Sequence, residues 1–257
     1  MQRLSDKLKE FQGANPFHES QAKSYGDDKL IHEFCLTSTF LSLFNDQHEI
    51  LLGSRGSGKT SILRMLSFSC LRQLDHTAAV TLRQQRDFIG FYIPLHLEFM
   101  ASLPQDTIDG SDTTEYFQFA FNSTAVKSFL EELSQLISTR FEDSSTRLKT
   151  EAKVLSRLCR LWLGPESQIV ATLDDLAWEI ECLYYQTKPW KDSSLSNPPL
   201  FAKSLFSPLL SALPQIARDL DLDMRNTTWI ACVDEAEFLK PGYLRCFNSF
   251  MRSEKRP

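Results

Sequence analysis

The chain has 257 residues, of which 42% are hydrophobic and 24% charged; this is ordinary globular usage and excludes collagen-like and wholly disordered classes. Its formal net charge of −5, from 28 Lys+Arg against 33 Asp+Glu, provides no global basic field, so charge gives no support to DNA as a partner. No apolar run approaches the ~20 residues of a membrane span, and the start, MQRLSDKLKEF, has no continuous apolar stretch of signal-peptide kind, which predicts a soluble, cytoplasmic protein without membrane contact.

In chain order, Asn15-Pro16-Phe17 precedes a predicted helical stretch from Lys29 to Phe44, apolar at Leu30, Ile31, Phe34, Leu36, Phe40, Leu41 and Phe44. His48-Glu49-Ile50-Leu51-Leu52 then reads as a short buried strand. It leads into Gly53-Ser54-Arg55-Gly56-Ser57-Gly58-Lys59-Thr60, which holds three of the nine glycines. Ser61 to Phe68 follows, and its apolar positions Ile62, Leu63, Met65, Leu66 and Phe68 suit a buried helix. Strand, glycine loop and helix stand in the order that G-x-x-x-x-G-K-[ST] requires. Glycines let successive backbone N–H groups turn inward to phosphate oxygens, and the helix N-terminus adds its positive dipole end. Gly53, Ser54, Arg55, Gly56, Ser57, Gly58, Lys59 and Thr60 are therefore the candidate ATP-binding residues. Lys59 would reach the β- and γ-phosphates, and the Thr60 hydroxyl would ligate Mg²⁺.

Ile89 to Leu97 is a second strand candidate, which Pro94 marks as an edge strand or one that ends early. The next segment is mainly helical by period. Val126, Phe129, Leu130, Leu133 and Ile137 form one apolar stripe, and Leu173, Leu176, Ala177, Ile180, Leu183 and Tyr184 form another. Asp106 to Thr114 and Lys188 to Pro199 read as loops. His76 and His96 have no companions at catalytic or ligand spacing and read as packing or surface residues. Arg83 to Arg86 (RQQR) and the tail from Arg252 to Arg256 read as solvated faces. The six cysteines, Cys35, Cys70, Cys159, Cys182, Cys232 and Cys246, show neither C-x-x-C pairing nor histidines at ligand spacing, and read as reduced thiols, most of them buried.

A third strand candidate, Thr228 to Val233, runs directly into Asp234-Glu235-Ala236-Glu237. This has the form of a Walker B motif. Asp234 would hold Mg²⁺, and Glu235 would act as the general base on the attacking water; Glu237 reads as a solvated residue. Asp followed at once by Glu resembles the P-loop division that carries its own catalytic glutamate, which includes AAA+ and STAND proteins and helicases. The 173 residues between Thr60 and Asp234 exceed what a minimal core of that division uses. The expected organisation is an N-terminal segment with the Walker A half at 1–99, a mainly helical insertion at 100–225, and the Walker B strand with its following helix at 226–257.

The Asn15-Pro16-Phe17 start, ILLGSRGSGKTSILRML, IGFYIPL, FQFAFNSTAVKSFL, TTWIACVDEAEFL and FNSFMR together resemble the origin-recognition-complex-type (ORC/Cdc-like) AAA+ ATPases of bacteria, from about residue 15 onward. The resemblance implies an α/β, three-layer P-loop fold with a parallel sheet, ATP and Mg²⁺ as cofactors, and ATP hydrolysis driving a conformational or assembly switch, in DNA transactions or defence. It implies a homo-oligomer, or a protein partner bound through the helical insertion. It makes Asn15 and Phe17 candidate contacts to the adenine, against a plain turn and a core anchor. The sequence stops 22 residues after Glu235, before a sensor-1 strand, arginine finger, sensor-2 helix or lid. A truncated or split product is therefore expected, its central strand missing between the strand of Leu51 and that of Val233. Two other readings stand beside this one: a non-catalytic nucleotide-dependent scaffold, and a fragment of a helicase-like ATPase suggested by the DEAE tetrad.

Overall fold

A computed structural model describes residues 26–45, 47–54, 56–96, 99, 103, 111–164, 170–186 and 200–253, and every structural statement below concerns these. Asn15, Phe17, Arg55 and the predicted loop Lys188 to Pro199 lie outside them. The chain is mixed α/β and mostly helical, around two parallel strands. Five short helices come first: α1 (Asp27–Glu33), α2 (Ser38–Ser42), α3 (Lys59–Met65), α4 (Phe68–Gln73) and α5 (Thr77–Gln85). Strand β1 (Asp87–Pro94) follows, then α6 (Ser111–Arg140), α7 (Ser144–Trp162), α8 (Leu173–Gln186) and α9 (Ser207–Asp219). Strand β2 (Thr227–Asp234) and α10 (Pro241–Ser253) complete the order.

Local chemistry sets these boundaries. The helical stretch expected from Lys29 to Phe44 is two helices, because Phe34 is extended and Thr37 starts a new helix by accepting a hydrogen bond from the Phe40 N–H. The apolar periodicity still serves one purpose: Phe34, Phe40, Phe44 and Phe88 pack edge to face in succession, with centroids 4.7–5.2 Å apart. Asp143 caps α7 by accepting from the Thr146 N–H at 2.7 Å. The bond from the Thr146 hydroxyl, and then this one, hold the Asp143 carboxyl below its ordinary range. Thr172 and Asp175 form a reciprocal capping box on α8. Residues 111–114, expected in a loop, are instead the first turn of α6; Phe117, Phe119, Phe121 and Ala125 extend the apolar stripe of this helix well before Val126.

The two strands run in parallel with their ends aligned, from Asp87 opposite Thr227 to Pro94 opposite Asp234. Alternate residues face opposite sides. Ile89, Phe91 and Ile93, with Trp229 and Val233, face a large core built by α6, α7, α8, α9 and α10. Phe88, Tyr92, Ile230 and Cys232 face a smaller core built by α1 to α5. Helix α6, ~45 Å long at 1.5 Å per residue, is the hub of the larger core: it packs on β1, α4, α7, α8, α9 and α10. Phe117 stacks on Tyr243 at 4.7 Å and Phe121 meets Phe247 edge to face at 5.0 Å. Fully buried Asn122 on α6 donates to the Phe201 and Ser204 carbonyls and accepts from the Phe206 N–H, each at 2.7 Å. This fixes the bend that leads into α9, where Phe206 has a positive φ of 60°.

The strand expected at His48 to Leu52 does not form. The segment is irregular, and Ile50 and Leu52 are 71% and 90% exposed. A strand needs a hydrogen-bonded neighbour; β2 pairs with β1 alone, and no described strand lies on its other side to receive this segment. The cysteines are free thiols: Cys70, Cys159 and Cys232 are buried, whereas Cys35 is exposed. Burial pushes Cys70 up to about 11 and Cys232 up to about 12.

Candidate nucleotide-binding site

The glycine loop enters α3 through two left-handed residues, Gly56 (φ 83°) and Gly58 (φ 84°), a conformation that β-carbons disfavour. Gly53 serves a different need: a Cβ there would lie 2.6 Å from the Ser57 hydroxyl oxygen. The Ser57 N–H donates to the Ser54 carbonyl at 3.2 Å, closing the loop. Lys59 folds back, its ammonium donating to the Gly53 and Ser54 carbonyls at 2.7 and 3.2 Å. Most of the loop is exposed, and Lys59 and Thr60 are half-buried at its base.

The acid end of β2 meets this loop directly. The Thr60 hydroxyl donates to Asp234 Oδ2 at 2.8 Å, although the two residues stand 174 positions apart. Asp234 is 5% exposed, and its Oδ1 accepts from the Glu235 N–H at 2.9 Å. Glu235 has a positive φ of 65°, uncommon for a non-glycine residue and a kind of strain that collects at functional sites. A half-buried hydroxyl on a buried carboxylate is a pair of hard oxygen donors of the type Mg²⁺ prefers, so the residues fit that ion. The loop's exposed face and its glycine conformations likewise suit an anionic ligand.

Two residues of β1 and the turn after it also reach the acids, and sequence reasoning assigned a role to neither. Tyr92 donates its hydroxyl to Asp234 Oδ2 at 2.8 Å; burial, then the Asp234 charge, pushes the phenol well above its ordinary range, so it stays a donor. His96, expected to be a packing or surface residue, places Nδ1 3.6 Å from Glu235 Oε2. The reason is the register. Pro94 lies opposite Asp234, so residues just past each strand end become neighbours. The signal was available only to a reading that paired the two strands end to end. His76 caps α5 by accepting from the Ala78 N–H at 3.2 Å. Arg83 is tied to the Leu71 and Arg72 carbonyls at the end of α4.

A glycine-lined loop at a helix N-terminus, joined by a hydroxyl–carboxylate bond to the acidic end of a parallel strand, has the arrangement of an AAA+-type nucleotide-binding module. The ORC-CDC6-like family pattern matches residues 15–257, and the chain belongs to that family. Its members are P-loop AAA+ ATPase-like proteins. No curated protein and no solved structure matches the chain. No helix among the described residues is long and apolar enough to cross a membrane.

Proposed function

We propose that the chain binds Mg·ATP in the Gly53–Thr60 loop and hydrolyses it to drive a conformational or assembly switch. The observation that supports this reading is the Thr60–Asp234 hydrogen bond, which brings a hydroxyl and a buried carboxylate together beside the glycine loop. Bound Mg²⁺ would supply charge neutralisation at the phosphate oxygens. Gly53, Ser54, Arg55, Gly56, Ser57 and Gly58 wrap the phosphates with backbone N–H groups, and Lys59 exchanges its two carbonyl partners for phosphate oxygens. Thr60 and Asp234 hold the cation. Glu235, one residue past the metal carboxylate, orients the attacking water and accepts its proton. Family membership supports a homo-oligomer as the target of the switch; a protein partner engaged through α6 to α9 is the alternative target. The net charge gives DNA no support in that role.

Three variants test the assignment. Lys59→Ala is expected to weaken ATP binding strongly in calorimetry; unchanged affinity would remove the glycine loop from the site. Glu235→Gln is expected to keep ATP bound while slowing phosphate release by ~10²–10⁴-fold, the usual contribution of a general base. Asp234→Asn is expected to raise the Mg²⁺ concentration needed for half-maximal rate. Identical Mg²⁺ profiles for these last two would contradict the division of roles.

A further inference from the structure

Asp234 is held by three donors, and they differ in what they are attached to. The Glu235 N–H belongs to the carboxylate's own backbone and moves with it. The Thr60 hydroxyl sits on α3, beside the loop that must rearrange when Lys59 leaves the Gly53 and Ser54 carbonyls. The Tyr92 hydroxyl comes from the adjacent strand, and its ring is packed against the smaller core. The residue opposite Asp234 is Pro94, whose side chain has no polar group and whose nitrogen has no proton to donate. Tyr92, paired with Cys232 two positions earlier, reaches forward along the ribbon and supplies what Pro94 cannot.

We propose that Tyr92 is a positioning residue for the cation site: its hydroxyl fixes the rotation of the buried Asp234 carboxylate so that Oδ2 faces Thr60. The proposal rests on the Mg·ATP reading above. A carboxylate about its last torsion has a broad energy profile, so with Oδ2 held by Thr60 and only Oδ1 by the Glu235 N–H, Oδ2 can shift when the loop moves. A second bond from a rigid strand keeps the oxygen in place through that movement. Outer partners of this kind orient metal ligands, and their loss costs ~10–100-fold in metal affinity. A structural role alone, satisfying a half-buried phenol, would make no distinction between binding with and without the cation.

The test is Tyr92→Phe in the full chain, which removes one oxygen and keeps the ring. ATP affinity is measured by calorimetry in Mg²⁺ and again in EDTA. The expected result is an unchanged affinity in EDTA and a Mg²⁺-dependent tightening reduced by ~10-fold. Mn²⁺ titration with ADP, followed by electron paramagnetic resonance, is expected to show the same weakening without any turnover. Equal Mg²⁺-dependent tightening in both proteins would overturn the role of Tyr92 and leave the nucleotide reading standing. A loss of equal size in Mg²⁺ and EDTA would also overturn it, because the tyrosine would then be supporting the fold. If the unaltered chain bound no ATP under either condition, the nucleotide reading would fail and this inference with it.

Discussion

Gly90 ties the strand to the helix after the glycine loop through one missing atom. A Cβ at this position would lie 1.8 Å from the Leu66 carbonyl oxygen and 2.8 Å from its carbon. Both are backbone atoms just past the end of α3, so no side-chain rotation relieves the clash. Helix α3 carries Lys59 and Thr60 at its other end, and a shift of its last turn displaces both. Gly90→Ala is expected to cost about 1–3 kcal/mol of stability, the usual range for overpacking a filled interior, and to weaken nucleotide binding as well. Chemical denaturation with an unchanged midpoint would show that the α3–β1 contact is looser than the distances state. The role of Gly90 could not be read from the sequence, where it is a glycine inside an apolar run. The same holds for Tyr92 and His96. Their roles arise from the pairing of two strands 140 positions apart (Asp87 with Thr227), and local periodicity contains no information about that register. The glycine loop and the Asp234–Glu235 step were legible because their chemistry is written in consecutive residues.

Among the elements, those with a long apolar stripe were legible and those needing a partner were not. The Val126–Ile137 and Leu173–Tyr184 stripes lie in α6 and α8, and Thr228–Val233 lies in β2. His48–Leu52 has the composition of a strand but has no neighbouring backbone to bond with, and composition cannot supply one. Helix α4 shows a contact of the same nonlocal kind. Its Ser69 N–H and hydroxyl donate to the Glu132 carboxylate of α6 at 2.8 and 2.9 Å, satisfying a helix-terminal donor from 63 positions away. Burial pushes the Glu132 carboxyl above its ordinary range; the Ser69 bonds oppose this, and Asp27 and Glu131 add to it. A raised native value means that the folded state binds the proton more readily than the unfolded one. This group's contribution is then largest at and below its unfolded value of about 4.3 and falls as pH rises through the raised native value. Thermal unfolding of the parent and Glu132→Gln across that range is expected to show the parent losing stability relative to the variant as pH increases. Parallel curves would mean that the Ser69 bonds cancel the cost of burial.

At the scale of the whole molecule, the β1–β2 ribbon separates two cores of unequal size, and the candidate site is built on the smaller one. Helices α1 to α5 bury Leu30, Phe40, Met65, Leu66, Cys70, Leu71 and Ala79 against Phe88 and Cys232, whereas α6 to α10 share the larger cluster. The smaller layer buries less apolar surface and is therefore expected to open at a lower free energy than the whole molecule. The residues proposed to hold the cation straddle the joint, with Thr60 on the small layer and Asp234 on the ribbon. A ligand held by both stabilises every opening that separates them, by about 2.7 kcal/mol when present at 100 times its dissociation constant. Hydrogen exchange of the full chain is thus expected to slow by ~100-fold in α3 and α4 on adding Mg·ATP at that level. Amides near the ends of α7, a helix that packs on α6, α8 and α9, are expected to be unaffected, because their local fraying leaves α3, β1 and β2 in place. Uniform slowing along the chain would show instead that the two layers open together, as one cooperative unit whose stability the nucleotide raises everywhere.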